Sequence, residues 1–112
     1  IINKFIAVYK VWDEFKKNFH KKHRSVVIKI DFLLIAVLES FLTASKLNKI
    51  QKLPFLHKAS GQLGLLKFFL QLAWELKSLD TKKYVLLSQR LDEIGKMLGG
   101  WIKEIGKQTP PK

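Results

Sequence analysis

Apolar residues recur at steps of three and four along nearly the whole chain, and little interrupts them. No glycine occurs before Gly61, and the only prolines are Pro54, Pro110 and Pro111. That spacing lays one apolar stripe along a helix, whereas the alternation that marks a strand is hard to find. The pattern therefore predicts an all-α chain, and 112 residues suffice for a single domain with one modest core.

Four helices are expected. The first spans about 2–19, where Phe5, Val8, Trp12, Phe15 and Phe19 make the stripe and Lys10, Asp13, Lys16 and Lys17 fall opposite. His20 to Arg24 offers no apolar anchor and reads as a turn, with Ser25 as a cap for the next helix. The second spans about 26–47. The third spans about 54–79, with Pro54 in its first turn, where a missing donor costs nothing. The fourth spans about 81–105, capped by Asp80 or Thr81. Its seam of Tyr84, Leu87, Leu91, Ile94, Leu98, Trp101 and Ile105 alternates steps of three and four. Gly106 and the two closing prolines end it, leaving residues 106–112 as a tail. Long helices with short connections imply an up-down-up-down antiparallel four-helix bundle.

Helices two and three are too apolar for that bundle alone. Between Phe32 and Ala44 only Glu39, Ser40 and Thr43 are not apolar, and Leu63 to Leu76 is crowded with Leu, Phe and Trp. A surface helix keeps a polar face, and a large bare apolar patch is rarely tolerated. The expectation is a homo-oligomer whose contacts cover these outer faces. The alternative is that both helices are simply central within one chain.

Charge narrows the function. Twenty-one Lys and Arg against nine Asp and Glu give a net charge of +12, a field that attracts polyanions. In an antiparallel bundle the turns after helices one and three share an end. Lys16, Lys17, Lys21, Lys22 and Arg24 then lie near Lys77, Lys82 and Lys83, and these are the candidate nucleic-acid-binding residues. Lys46, Lys49, Lys52, Lys58, Lys4, Lys103 and Lys107 gather at the other end. Lysine-rich binding of a phosphate backbone is sequence-tolerant and salt-sensitive. No exposed aromatic residue for base stacking is evident, and Phe19 beside the basic turn reads as a lid on the core. Solubility is the competing explanation of the charge.

Catalysis finds no support. Without cysteine there are no disulfides or thiolate sites. His20 and His23 lack a third ligand and sit among cations, and His57 is isolated. Asp13-Glu14 and Asp92-Glu93 are neighbours that diverge on a helix, and the serines have no evident base. Gly95, Gly99 and Gly100 follow no strand, so they form no phosphate loop. No cofactor, metal or active site is expected. The apolar run Phe32–Leu38 is far short of the ~20 residues of a membrane span. The start, Ile1-Ile2-Asn3-Lys4, shows no secretory pattern and no initiating Met, so a cytoplasmic protein lacking a few first residues is expected. Gly95 and Gly99, four apart on one helical face, predict close packing there, within the chain or between subunits.

The run from Glu93 to Ile102, Glu-Ile-Gly-Lys-Met-Leu-Gly-Gly-Trp-Ile, resembles the closing-helix motif of bacterial four-helix-bundle proteins related to the accessory variability determinant (Avd) of diversity-generating retroelements. Glu93, Ile94, Gly95, Leu98, Gly99, Gly100 and Trp101 are the motif positions. Phe19 to Arg24 resembles that family's basic turn, with His20 where proline is common, and Leu66–Leu79 resembles its third helix. The resemblance implies a ring-like homopentamer that binds a reverse transcriptase and RNA or DNA, supporting mutagenic cDNA synthesis without catalysis of its own. Related proteins encoded in ribosomal-RNA intervening sequences supply the alternative, a self-assembling structural protein with no specific nucleic-acid role.

Overall fold

The computed structural model describes residues 1–108. Four helices form, α1 (Ile2–Phe15), α2 (Arg24–Ser45), α3 (Lys49–Glu75) and α4 (Thr81–Gln108), with single 3₁₀ turns at Lys16–Asn18 and Lys21–His23. None of these helices is long and apolar enough to cross a membrane.

Cross-helix contacts fix the topology. On α1 and α2, Phe5 meets Phe41 and Trp12 meets Asp31. On α2 and α3, Lys29 lies over Phe69 and Ser40 meets Gln62. On α3 and α4, Lys67 pairs with Asp92 and Trp74 with Thr81. Lys4 beside Glu93 and Lys83 over Phe15 join α4 to α1. In every pair one number falls as the other rises, so adjacent helices run antiparallel in a rod of 52 × 22 × 20 Å.

Each helix contributes a stripe to one core. Phe5, Val8 and Trp12 come from α1, Ile30, Leu34, Val37 and Phe41 from α2, and Leu56, Leu63, Leu66 and Leu70 from α3. On α4 the expected seam is buried at Leu87, Leu91, Ile94, Leu98 and Ile105, with Tyr84 and Trp101 half-buried. Ser40 is the one buried polar residue among those described, and its hydroxyl donates to Gln62 Oε1 at 3.1 Å.

α2 ends at Ser45 rather than 47 and α3 at Glu75 rather than 79, and the boundaries differ from the periodicity in four further places. First, α1 ends at Phe15 rather than 19. Lys16, Lys17 and Asn18 have nothing to bury, so the chain tightens to 3₁₀ and then opens to extended backbone at Phe19. From there Phe19 lays its ring edge against Trp12, centroids 5.3 Å apart, and closes the core from outside the helix. Second, Ser25 is not the cap of α2. That helix starts at Arg24 without a side-chain cap, and the nearby turn is held by His20, whose Nδ1 accepts from the Lys22 amide.

Third, α3 begins at Lys49 instead of 54, because Asn48 Oδ1 accepts from the Gln51 amide at 2.9 Å. Pro54 therefore lies inside α3, where it does cost a helical hydrogen bond. The carbonyl it leaves, on Ile50, belongs to an exposed residue and can take water. Fourth, Gly106 does not stop α4, which continues to Gln108; glycine permits a stop without forcing one. The closing prolines lie outside the described residues.

Asp31 ties α1 to α2. Its Oδ1 accepts from the buried Trp12 indole at 2.7 Å and lies 3.4 Å from Lys16 Nζ. Asp31→Ala leaves the indole N–H without its partner and is expected to lower stability by about 1–3 kcal/mol. Denaturant unfolding of the two proteins checks it. Asp31→Asn, which keeps an acceptor, should recover much of the loss.

Candidate nucleic-acid interface

The end of the bundle that carries the first and third turns is assembled by direct contacts between them. His23 Nδ1 and Ser78 Oγ share a hydrogen bond, and Lys83 Nζ lies 5.3 Å from the Phe15 ring centroid. Asp80 caps α4 by accepting from the Lys83 amide at 2.8 Å. The candidate cations thus do converge on one end, in two groups with different surroundings.

Lys16 and Lys17 are largely compensated. Lys16 lies 3.2 Å from Asp13 and 3.4 Å from Asp31. Partial burial works against its charge, but hydrogen bonds to Asp13 and Asp31 outweigh it and raise its pKa above the ordinary 10.5. Lys17 pairs with Glu14 at 3.1 Å. Lys83 is half-buried against Phe15 and 3.9 Å from Asp80. Lys21, Lys22, Arg24, Lys77 and Lys82 are exposed, and none of them has an ion pair among the described residues. These five carry the free charge of the end.

Lys77 also holds a backbone that favours glycine. Its φ is 63°, the single positive value at a non-glycine residue among those described. The amides of Lys77 and Ser78 donate to the Trp74 and Ala73 carbonyls at 3.0 Å each. This is a Schellman ending of α3 with a lysine at the left-handed position.

Aromatic residues reach the surface where periodicity alone had not placed them. Trp74 is 37% exposed beside the basic end, stacked on Tyr84. The signal was present: the buried stripe of α3 runs Ala59, Leu63, Leu66, Leu70, Ala73, and Trp74 falls one position past it. Along the length of α2, Ile28, Phe32, Ile35 and Leu42 form a second seam on its outside, with Phe32 64% exposed. Leu65 and Phe68 of α3, 51% and 58% exposed, extend this surface, and Lys29 spans the Phe32 and Phe69 rings. Within the protomer, helices two and three are therefore not covered.

The motif residues of α4 divide by role. Ile94 and Leu98 are core, while Trp101 lies half-buried beneath Lys52, 5.3 Å from its centroid. Glu93, Gly95, Gly99 and Gly100 are exposed. A Cβ added at any of these glycines meets nothing within 4 Å, so close packing inside this chain is not what they serve.

A family model described as bAvd-like matches residues 2–105, spanning all four helices. The chain belongs to the bAvd-like family. No curated protein matches the sequence. The match spans both the basic turns and the exposed apolar seam of this bAvd-like bundle.

A left-handed lysine costs about 1–2 kcal/mol, against about 1 kcal/mol for the extra chain entropy of glycine. Lys77→Gly is therefore expected to leave stability equal or raise it by up to about 1 kcal/mol, read from thermal or denaturant unfolding. A clear loss of stability would show that the Lys77 side chain matters to the fold itself.

Proposed function

We propose that this chain is a non-enzymatic accessory protein of a diversity-generating retroelement, a homo-oligomer that holds a reverse transcriptase and its template RNA or cDNA on a basic surface. The observation that carries the reading is the convergence of Lys21, Lys22, Arg24, Lys77 and Lys82, uncompensated, at one end of a bAvd-like bundle. Lysine ammonium groups are mobile point charges, suited to a phosphate backbone in many registers. Identical copies multiply such weak contacts through effective concentration. Lys16, Lys17 and Lys83 add to the field while anchoring the turn.

Assembly follows from the outer seam of α2. Ile28, Phe32, Ile35, Leu65 and Phe68 find cover in another copy, and the bare glycine-bearing side of α3 and α4 offers a shallow surface for it. Those two faces are different surfaces of one chain, so joining them head to tail gives a ring where the rotation closes. A pentamer is the number the family implies. The cytoplasm is the compartment this role requires.

The apolar seam also favours a second reading, self-assembly as a structural protein of the ribosomal-RNA intervening-sequence type, with charge serving solubility. Salt separates the two. Reversing Lys21, Lys22, Arg24, Lys77 and Lys82 to Glu is expected to abolish binding to a labelled RNA at low salt while leaving the oligomer mass unchanged. For the unaltered protein, log affinity should fall with log salt at a slope of about −0.7 to −0.9 per phosphate contact. RNA affinity indifferent to the reversal sinks the assignment of this end. Phe32→Glu with Phe68→Glu is expected to yield single subunits by light scattering, with helicity retained; an unchanged mass rejects the α2–α3 contact.

A further inference from the structure

Trp74 is the feature of the basic end that neither charge nor core packing explains. Trp12 is 1% exposed and fills the core; Trp74 is 37% exposed at the last turn of α3, outside the buried core cluster. Its indole is nevertheless held in place. Tyr84 from α4 stacks on it with centroids 5.1 Å apart and planes within 12° of parallel. The indole Nε1 donates to Thr81 Oγ1 at 3.0 Å, which fixes the rotation of the ring in its plane. One face of the indole is thus spent on Tyr84, and its solvent exposure belongs to the remaining face and edge.

The neighbouring charges are Lys77 and Lys82, with Glu75 next in the chain and Asp80 capping α4. Trp74 accepts the Lys77 amide through its own carbonyl, and its Thr81 partner immediately precedes Lys82. Lys77 stands three residues along in the left-handed turn, and Ser78 connects to His23, next to Arg24. A flat, immobilised aromatic surface flanked in the chain by Lys77 and Lys82, neither in an ion pair among the described residues, is complementary to a nucleotide whose base is free to stack and whose phosphates seek positive charge. A duplex keeps its bases stacked within itself and offers this shelf only its backbone.

We infer that the Trp74–Tyr84 pair is a stacking shelf for an unpaired base, so that the basic end takes single-stranded nucleic acid in preference to duplex. The inference rests on the reading of that end as a phosphate-binding surface and adds the conformation of the strand it selects. Stacking supplies a contribution that salt does not screen, on a site otherwise governed by salt. It is tolerant of sequence, because every base has a flat face.

The test uses the whole protein and three labelled probes: oligouridine, oligothymidine, and the duplex of oligouridine with oligoadenine at equal length. The unaltered protein is expected to bind both single strands more tightly than the duplex. Trp74→Ala should lose about tenfold on the single strands, with duplex affinity and salt slope unchanged. Trp74→Phe should retain most of the affinity, and Trp74→Met, which keeps bulk without a ring, should behave as Ala does. Quenching of tryptophan emission on oligouridine binding, absent in Trp74→Phe, is the second readout. Single-strand affinity that survives both Ala and Met, or an equal loss on duplex, overturns the shelf and leaves the basic end standing. Failure of the unaltered protein to bind any probe at low salt overturns both. Preference for duplex in the unaltered protein overturns the shelf whatever the variants do.

Discussion

Burial of one apolar stripe per helix, in four helices running alternately up and down, is the constraint from which the remaining geometry follows. Leu34, Leu66, Leu91 and Trp12 can share a core only if the connections turn back sharply, and sharp turns put the ends of four helices into two small regions. Both regions hold cations with no ion pair among the described residues, Lys46, Lys49 and Lys58 at one and Lys21, Lys22, Arg24, Lys77 and Lys82 at the other. Lys21, Lys22 and Arg24 would be a local charge run on an extended chain. Folding adds Lys77 and Lys82 from more than fifty residues away, and the His23–Ser78 bond fixes the two turns to one another. The field at this end is therefore a product of hydrophobic burial, although no apolar residue contributes charge to it.

Which cations remain free is decided by local pairing. Lys16 has two carboxylates within 3.4 Å, so it supports the fold through Asp31 and Trp12 more than it projects charge. Lys21, Lys22, Arg24, Lys77 and Lys82 have no ion pair among the described residues. Paired and unpaired lysines sit within a few residues of each other, and charge density along the sequence does not distinguish them. It takes the third dimension to bring Asp31, fifteen positions on, beside Lys16.

The fold was legible because its signal is repeated. The α4 seam offers seven apolar positions in register, and the core selects them, so local and tertiary preferences agree. Boundaries were less legible, since they depend on single polar groups. Asn48 starts α3 one and a half turns before Pro54, and one Asn side chain looks like any other until it meets the Gln51 amide. The site was legible in its charge and not in its aromatics. Trp74 is surrounded in sequence by core residues of α3, and only its place one step beyond Ala73 sends it outward. Exposure of Phe32 and Phe68 was implied by composition, since α2 and α3 carry more apolar residues than one core can face.

That excess has an energetic meaning. Ile28, Phe32, Leu65 and Phe68 are between 51% and 64% exposed, so each forgoes roughly 1–1.5 kcal/mol that another surface could recover. The exposed seam lies along α2 and α3, with Lys29 over the Phe32 ring, while Lys21, Lys22, Arg24, Lys77 and Lys82 occupy the turns at one end of the rod. Copies that bury the seam leave the basic ends uncovered. Mutual repulsion among those ends then opposes assembly, and it weakens when a polyanion neutralises them. In the proposed assembly, apolar contact between copies and binding of a polyanion would therefore be coupled, each favouring the other by the same free energy.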